Sequence, residues 1–157
     1  MDLDRAELRE RLQKGFPIEP KALDGSRYLG VSLGLPALVD RLAWKTFEKD
    51  FCGDDNGLHG WNVRLKQRGL RVAEPMLRAG KPLTFGRFRV RDEGHRLMLD
   101  YSINPWWDPS RHLRDPLVAL HEDSVEWLFG RSLIGSWATP SYFVLQRFGT
   151  LEYVPPN

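Results

Sequence analysis

Residues Gly25 to Phe51 read GSRYLGVSLGLPALVDRLAWKTFEKDF, and this stretch decides the fold class. From Tyr28 to Leu33 the chain alternates, with Leu29, Val31 and Leu33 on one face and Tyr28, Gly30 and Ser32 on the other, the period of a half-buried strand. Gly34 interrupts it. Pro36 follows, where a first helical turn needs no N–H, and Leu35, Leu38, Val39 and Leu42 recur at helical spacing, which predicts a short helix with one apolar stripe. Trp44 to Phe51 alternates again, with Phe47 and Phe51 on the face of Lys45 and Lys49 and with Trp44 and Thr46 opposite. A helix joining two strands this closely fits the covered end of a curved sheet.

Upstream, Asp4 and Glu7 resemble a capping box, Leu8 and Leu12 share a face and Gly15 suits a C′ position, so a helix is expected from about Arg5 to Lys14. Phe16 to Leu23, with two prolines, is an extended lead-in. Downstream of a turn at Gly53 to Gly57, Leu58 to Gln67 sets His59, Trp61, Val63 and Leu65 against Gly60, Asn62, Arg64 and Lys66, the clearest strand of the chain. Arg68 to Pro82 reads as a loop with a partial strand. Leu83–Val90 and Arg96–Ile103 form a hairpin around Gly94, and Leu97, Leu99, Tyr101 and Ile103 share a face of its second arm. Leu117–Leu120, Val125–Ile134 with a break near Gly130, and Ser141–Phe148 complete the set, and Leu151–Val154 either pairs with the last strand or trails away. Roughly seven to nine strands result, without long helices between them. The expected fold is therefore mainly β: an antiparallel lipocalin-like β-barrel or strongly curved sheet with short N-terminal and inter-strand helices. The expected organisation is one domain over 1–157, with helix and lead-in over 1–24 and the barrel over 25–154.

A chain of 157 residues suits one domain that buries roughly 70% of its unfolded surface, and its formal charge of +2 is too small to imply a nucleic-acid or membrane partner by itself. Aromatic residues are abundant, with six Trp, eight Phe and four Tyr, many in strand-like runs, as expected of a sheet wrapped around an apolar interior. Cys52 has no second cysteine to pair with, which suits a reducing compartment. The charged N-terminus MDLDRAELRERLQKG lacks the apolar core of a signal peptide and no run approaches the length of a membrane span, so a cytoplasmic protein without membrane insertion is expected.

Motifs for chemistry are sparse. His59, His95, His112 and His121 show no metal-ligand spacing, and the chain contains no Walker loop, no GxGxxG after a strand and no GxSxG elbow, so neither metal nor cofactor is expected. Arg87, Arg89 and Arg91 share a strand face, which a barrel needs for solubility, and leave Phe88 and Val90 as the inward set. The segment Tyr101–Arg114, YSINPWWDPSRHLR, is the strongest functional candidate because it joins two tryptophans to Asp108, Arg111, His112, Arg114 and Asp115 in an irregular loop beside a strand end. An Arg there is suited to a ligand carboxylate. The competing account has Asp108 and Arg111 capping the loop by pairing with each other.

These residues also resemble a family. Tyr28 and Gly30, the Leu-rich segment Leu35–Leu42, then Trp44 and either Lys45 with Phe47 or Lys49 with Phe51, are similar to the N-terminal pattern of the bacterial proteins named for a Gly-x-Trp-x-Gly motif. Tyr101, Pro105, Asp108 and Arg111, followed by Tyr142, Phe143, Leu145 and Arg147, are similar to their associated C-terminal domain. Tyr28 stands where the motif has Trp, Ser32 where it has its second Gly, and Ser102 where Asp usually follows the aromatic residue. The resemblance implies a compact β-rich barrel and no assigned activity. The chain also resembles small haem-binding barrels in its Gly/aromatic strand, but Ser141–Phe148 holds no histidine, which argues against haem.

The leading expectation is that the barrel binds a small hydrophobic or amphipathic molecule. Trp44, Phe47, Trp61, Tyr101 and Tyr142 are expected to supply wall, and Lys45, Asp108 and Arg111 a polar end. Two rivals are a small isomerase, cyclase or hydrolase using Asp100, Asp108, Asp115, His59 or His112 as acid and base, and a module that binds protein or nucleic acid.

Overall fold

A computed structural model describes residues 4–33, 45–67 and 74–156. After helix α1 (Arg5–Lys14) and a 3-10 turn at Pro20–Leu23 come β1 (Ser26–Leu33), β2 (Thr46–Asp54), β3 (Gly57–Val63), the two-residue strands β4 (Leu77–Arg78) and β5 (Lys81–Pro82), β6 (Thr84–Asp92) and β7 (Leu97–Asp100). A second 3-10 turn at Pro109–His112 leads into β8 (Leu113–His121), β9 (Ser124–Ile134) and β10 (Trp137–Thr150). Eight strands close an antiparallel barrel in the order β1-β10-β9-β8-β7-β6-β3-β2, while β4 and β5 form a separate hairpin. The fold is thus mainly β, as the alternation predicts. The Leu35–Leu42 helix and Trp44 lie outside the described residues.

Alternation alone leaves open which face of β1 turns inward. Tyr28 is fully buried in the interior cluster with Phe51 and Phe88, whereas Leu33 packs with a second cluster on the outside, around Leu8 and Tyr142. The inward row is therefore Tyr28, Gly30 and Ser32. Gly30 faces Phe47 across the β1–β2 ladder, and a Cβ there would sit 2.4 Å from the Phe47 ring. The missing side chain is the space the ring occupies.

The outer cluster explains α1. Asp4 Oδ1 accepts from Ala6 N at 3.3 Å to start the helix, and Leu8, 1% exposed, inserts among Val118, Phe129 and Tyr142 on the outer faces of β8, β9 and β10. Gly15 ends it, although not as the left-handed C′ residue the sequence suggests. Its φ is −63° and ψ 160°, and a Cβ would meet Val118 Cγ2 at 2.2 Å, so glycine is needed for close packing and not for positive φ.

Inside, the half of the barrel on the side of the β2–β3 turn is solid. Tyr28, Phe51, Phe88 and Tyr101 form a row of edge-on or tilted rings with centroids 5.4–5.5 Å apart, flanked by Leu97, Leu117 and Leu128. Such pairs each contribute about 0.5–1.5 kcal/mol beyond the area they bury. β9 runs unbroken through Gly130, where a Cβ would lie 2.3 Å from Phe143, so the predicted break is instead a seat for a ring. Leu151 N donates to Gly25 O at 2.8 Å, after which the chain trails over the barrel without joining it. No described helix is long and apolar enough to cross a membrane.

Candidate functional site

The other half of the barrel, towards the loops after β1, β3, β7 and β9, holds a cavity of about 350 Å³. Phe47, Phe85, Leu113 and Phe143 give it apolar wall, Ser32, Ser110, Ser132 and Ser141 small hydroxyls, and Lys49, Asn62, Tyr101 and Asp115 a polar floor. An eight-stranded barrel with such an interior is compatible with small-ligand binding.

Lys49 organises the floor. It lies between Phe47 and Phe51 on the inward row of β2, so strand geometry aims an ammonium into an otherwise apolar interior. Nζ donates to Asn62 Oδ1 at 2.7 Å and to Tyr101 Oη at 2.6 Å, and lies 3.6 Å from Asp115 Oδ2. Tyr101 in turn donates to Asp115 Oδ2 at 2.9 Å. Asn62 is oriented by donating its Nδ2 to Gly86 O at 3.0 Å, and Gly86, at φ 53°, marks an irregularity in the β3–β6 register that brings this carbonyl within reach. Four rings, of Phe47, Phe88, Tyr101 and Phe143, surround Nζ at 5.2–5.4 Å from their centroids.

Burial dominates the electrostatics. It lowers the Lys49 pKa to about 8 against the pull of Asp115. It also raises the Asp115 carboxyl above its ordinary range, although Lys49, Tyr101 and Ser132 favour the anion. The Tyr101 phenol is pushed well up, by burial first and then by Asp115. Two buried acceptors at the cavity, Asp115 Oδ1 and Ser110 Oγ, make no hydrogen bond of their own.

The residues singled out in the sequence are distributed over three regions. Phe47 and Tyr101 line the cavity. Trp61 instead lies on the outward face of β3, buried and donating Nε1 to Asp50 Oδ2 at 3.2 Å. Tyr142 is also outward, stacked on Phe129 beneath α1 with the Arg131 guanidinium 4.7 Å from its ring centroid. The Lys45 side chain is exposed, and its carbonyl accepts from Ser32 N at 2.9 Å. Asp108 caps the second 3-10 turn by accepting from Ser110 N at 2.8 Å, and Arg111 lies in that turn on the rim. The sequence reading gives Lys49, Asn62 and Phe143 no place in the site, and Asp115 a place beside the Trp-bearing loop and in the rival enzyme. A lysine two residues from a phenylalanine on either side, on one face of a strand, is the signal that points to this floor.

Asn104 fastens the Trp-bearing loop to the cavity wall, donating Nδ2 to Arg87 O at 2.7 Å and to Tyr101 O at 2.9 Å. Replacing it with alanine removes the side-chain donor to the Arg87 carbonyl in a mostly buried place, while the Tyr101 carbonyl keeps the residue 104 N–H at 3.1 Å. We expect Asn104→Ala to cost about 1–3 kcal/mol in urea unfolding and to speed amide exchange over residues 101–108 selectively. Uniform exchange across the chain would contradict this role.

A second polar cluster lies outside the barrel. Glu48 pairs with Arg27 at 2.8 Å, and Asp50 lies beside Glu48 under Pro75, Pro82, Glu152 and Tyr153. Burial, then the neighbouring Glu48 carboxylate, raises the Asp50 pKa to about 8, with Arg27 and Trp61 opposing. A proton shared between the two carboxyls also provides for Glu48 Oε2 and Asp50 Oδ1, buried acceptors otherwise without a donor. Because the folded pKa lies above the unfolded value of 3.8, the native state binds the extra proton across the interval from about 4 to about 8. The stabilisation is complete below that interval and is lost as pH rises through it. Asp50→Asn should accordingly gain on the wild type in urea midpoint between pH 5 and pH 8. A constant difference across that range would exclude the shared proton.

Among the described residues no group of three or more His, Cys, Asp or Glu side chains is placed to hold a metal ion. No protein-family model matches the chain, and no curated protein matches it in sequence.

Proposed function

We propose that the protein carries a small, largely apolar molecule with one hydroxyl or carbonyl group, held head-down in the barrel. The observation that supports this most directly is the cavity itself, with rings and Leu113 around its sides and the Lys49–Tyr101–Asp115 cluster at its floor. The two buried acceptors at the cavity, Asp115 Oδ1 and Ser110 Oγ, favour a head group with hydrogen-bonding capacity over a pure hydrocarbon. The likeness to the Gly-x-Trp-x-Gly motif proteins belongs to the same proposal, since Phe47, seated against Gly30, is one of the residues that carry it and lines the cavity.

Native mass spectrometry of protein purified from its own host, followed by denaturing extraction, tests for a retained molecule. Calorimetric titration with 1-octanol supplies the matched experiment in vitro. Filling the cavity by Ser141→Phe should abolish octanol binding while leaving the unfolding free energy within about 1 kcal/mol of wild type, because the new ring enters existing space. Binding that survives this substitution would place the ligand elsewhere.

A further inference from the structure

We infer that Lys49 is a nucleophile that captures the carbonyl carbon of an aldehyde or ketone in the cavity and holds it as an imine, with Tyr101 and Asp115 moving the protons. This rests on the cavity function proposed above and specifies its ligand class as a small apolar carbonyl compound.

The geometry supports each part of the step. In the neutral amine, both N–H bonds are taken, by Asn62 Oδ1 at 2.7 Å and Tyr101 Oη at 2.6 Å. The lone pair is then the one valence of the nitrogen left for the cavity that Lys49 lines. As it forms the C–N bond, the carbonyl π pair moves to oxygen. Tyr101 accepts from Lys49 and donates to Asp115 at 2.9 Å, so a proton leaving nitrogen has a two-bond path to a carboxylate. Asp115, protonated in this way and lining the cavity, passes a proton on to the former carbonyl oxygen. A second transfer expels that oxygen as water, breaking the C–O bond and forming C=N. Both protons leave nitrogen and both end on the water, so amine plus carbonyl gives imine plus water with no further reactant. If the imine is protonated, its charge sits where the ammonium sits now, within 5.2–5.4 Å of four ring centroids.

Titration supports the same assignment. A lysine with a pKa of about 8 is roughly one-tenth neutral at pH 7, against about 0.03% for an ordinary surface lysine. Its available nucleophile is thus about three hundredfold more abundant, before any contribution from positioning. Ser32, Ser132 and Ser141 are small side chains on the wall of the cavity that Lys49 lines and leave it room for a ligand.

The experiment is reductive trapping on the full-length wild-type chain. Protein is incubated at pH 7 with a slight excess of octanal and cyanoborohydride, digested and mapped by mass spectrometry, in parallel with calorimetric titration of 1-octanol. The expected result is octyl labelling of Lys49 at least tenfold faster than of any other lysine, with 1-octanol as a competitor. Lys49→Arg should lose the fast site, and Tyr101→Phe should keep the site, label it more slowly and alter the pH profile of labelling. Octanol binding combined with Lys49 labelling no faster than at surface lysines overturns the imine and leaves the carrier function standing. Absence of both octanol binding and selective labelling overturns the two together.

Discussion

Removing the Lys49 amine alone, by Lys49→Met, lowers the unfolding free energy at pH 7 by about 3–5 kcal/mol, whereas the double variant Lys49→Met, Asp115→Leu recovers most of the loss. The reason is asymmetry. Lys49 and Asp115 are both fully desolvated, with 4% and 3% of their side chains exposed, and each is the other's counter-charge. A carboxylate left without its cation keeps the desolvation cost and loses the attraction that offset it. The pH dependence has a definite sign: burial already raises the Asp115 pKa, and loss of Lys49 raises it further. The folded single variant therefore holds a proton that the unfolded chain has released, so it is least destabilised in acid and loses stability as pH rises. Urea titrations at pH 5 and pH 8 on the two single variants and the double check this. Additive losses with no pH dependence would mean that the two groups do not interact across 3.6 Å.

The second large effect is at Gly60. Gly60→Ala should cost at least 3 kcal/mol, whereas Gly30→Ala should cost about 1–2 kcal/mol and show its main effect as weakened ligand binding. Both glycines face a phenylalanine. A Cβ at position 60, however, lies 2.2 Å from Asp50 O as well as 2.5 Å from the Phe88 ring, and a ladder carbonyl cannot retreat without breaking the β2–β3 pairing. At position 30 all three nearest atoms belong to the Phe47 ring, which can swing into the cavity it lines. Unfolding curves and octanol titrations of both variants separate the cases. Equal destabilisation would show that the ring is as immobile as the backbone.

The same contrast between packed and open interior explains what the sequence made legible. The alternations in Tyr28–Leu33, Thr46–Phe51 and Leu58–Val63 locate strands well, because period two follows from backbone geometry alone. They do not say which side is inside. Around the cavity the inward positions include Gly30, Ser32, Ser132 and Ser141, which no hydrophobicity pattern marks as interior. Trp61 and Tyr142 look like barrel wall and are buried, but by Asp50 and neighbouring groups in one case and by α1 in the other, so apolar outward faces imitate inward ones. Asp108 and Arg111 stand out in the sequence because they share a loop. Lys49, Asn62, Tyr101 and Asp115 meet only through the closure of four different strands or strand ends, and their spacings carry no local signature. The exception is the alternation Phe47, Lys49, Phe51, whose interior charge requires partners that the sequence does not name.

The barrel closes by pairing its first strand with its last, Ser26 against Thr150 and Leu33 against Tyr142. During synthesis β1 therefore waits, with one long edge unpaired, until β10 has left the ribosome, and α1 cannot dock before Phe129 and Tyr142 exist to receive Leu8. The other seven ladders join successive barrel strands, so the β1–β10 closure is the pairing of largest sequence separation, and until it forms two strand edges stay exposed. Formation of the native barrel therefore ends with β10 meeting β1, which turns two exposed edges into a continuous ladder.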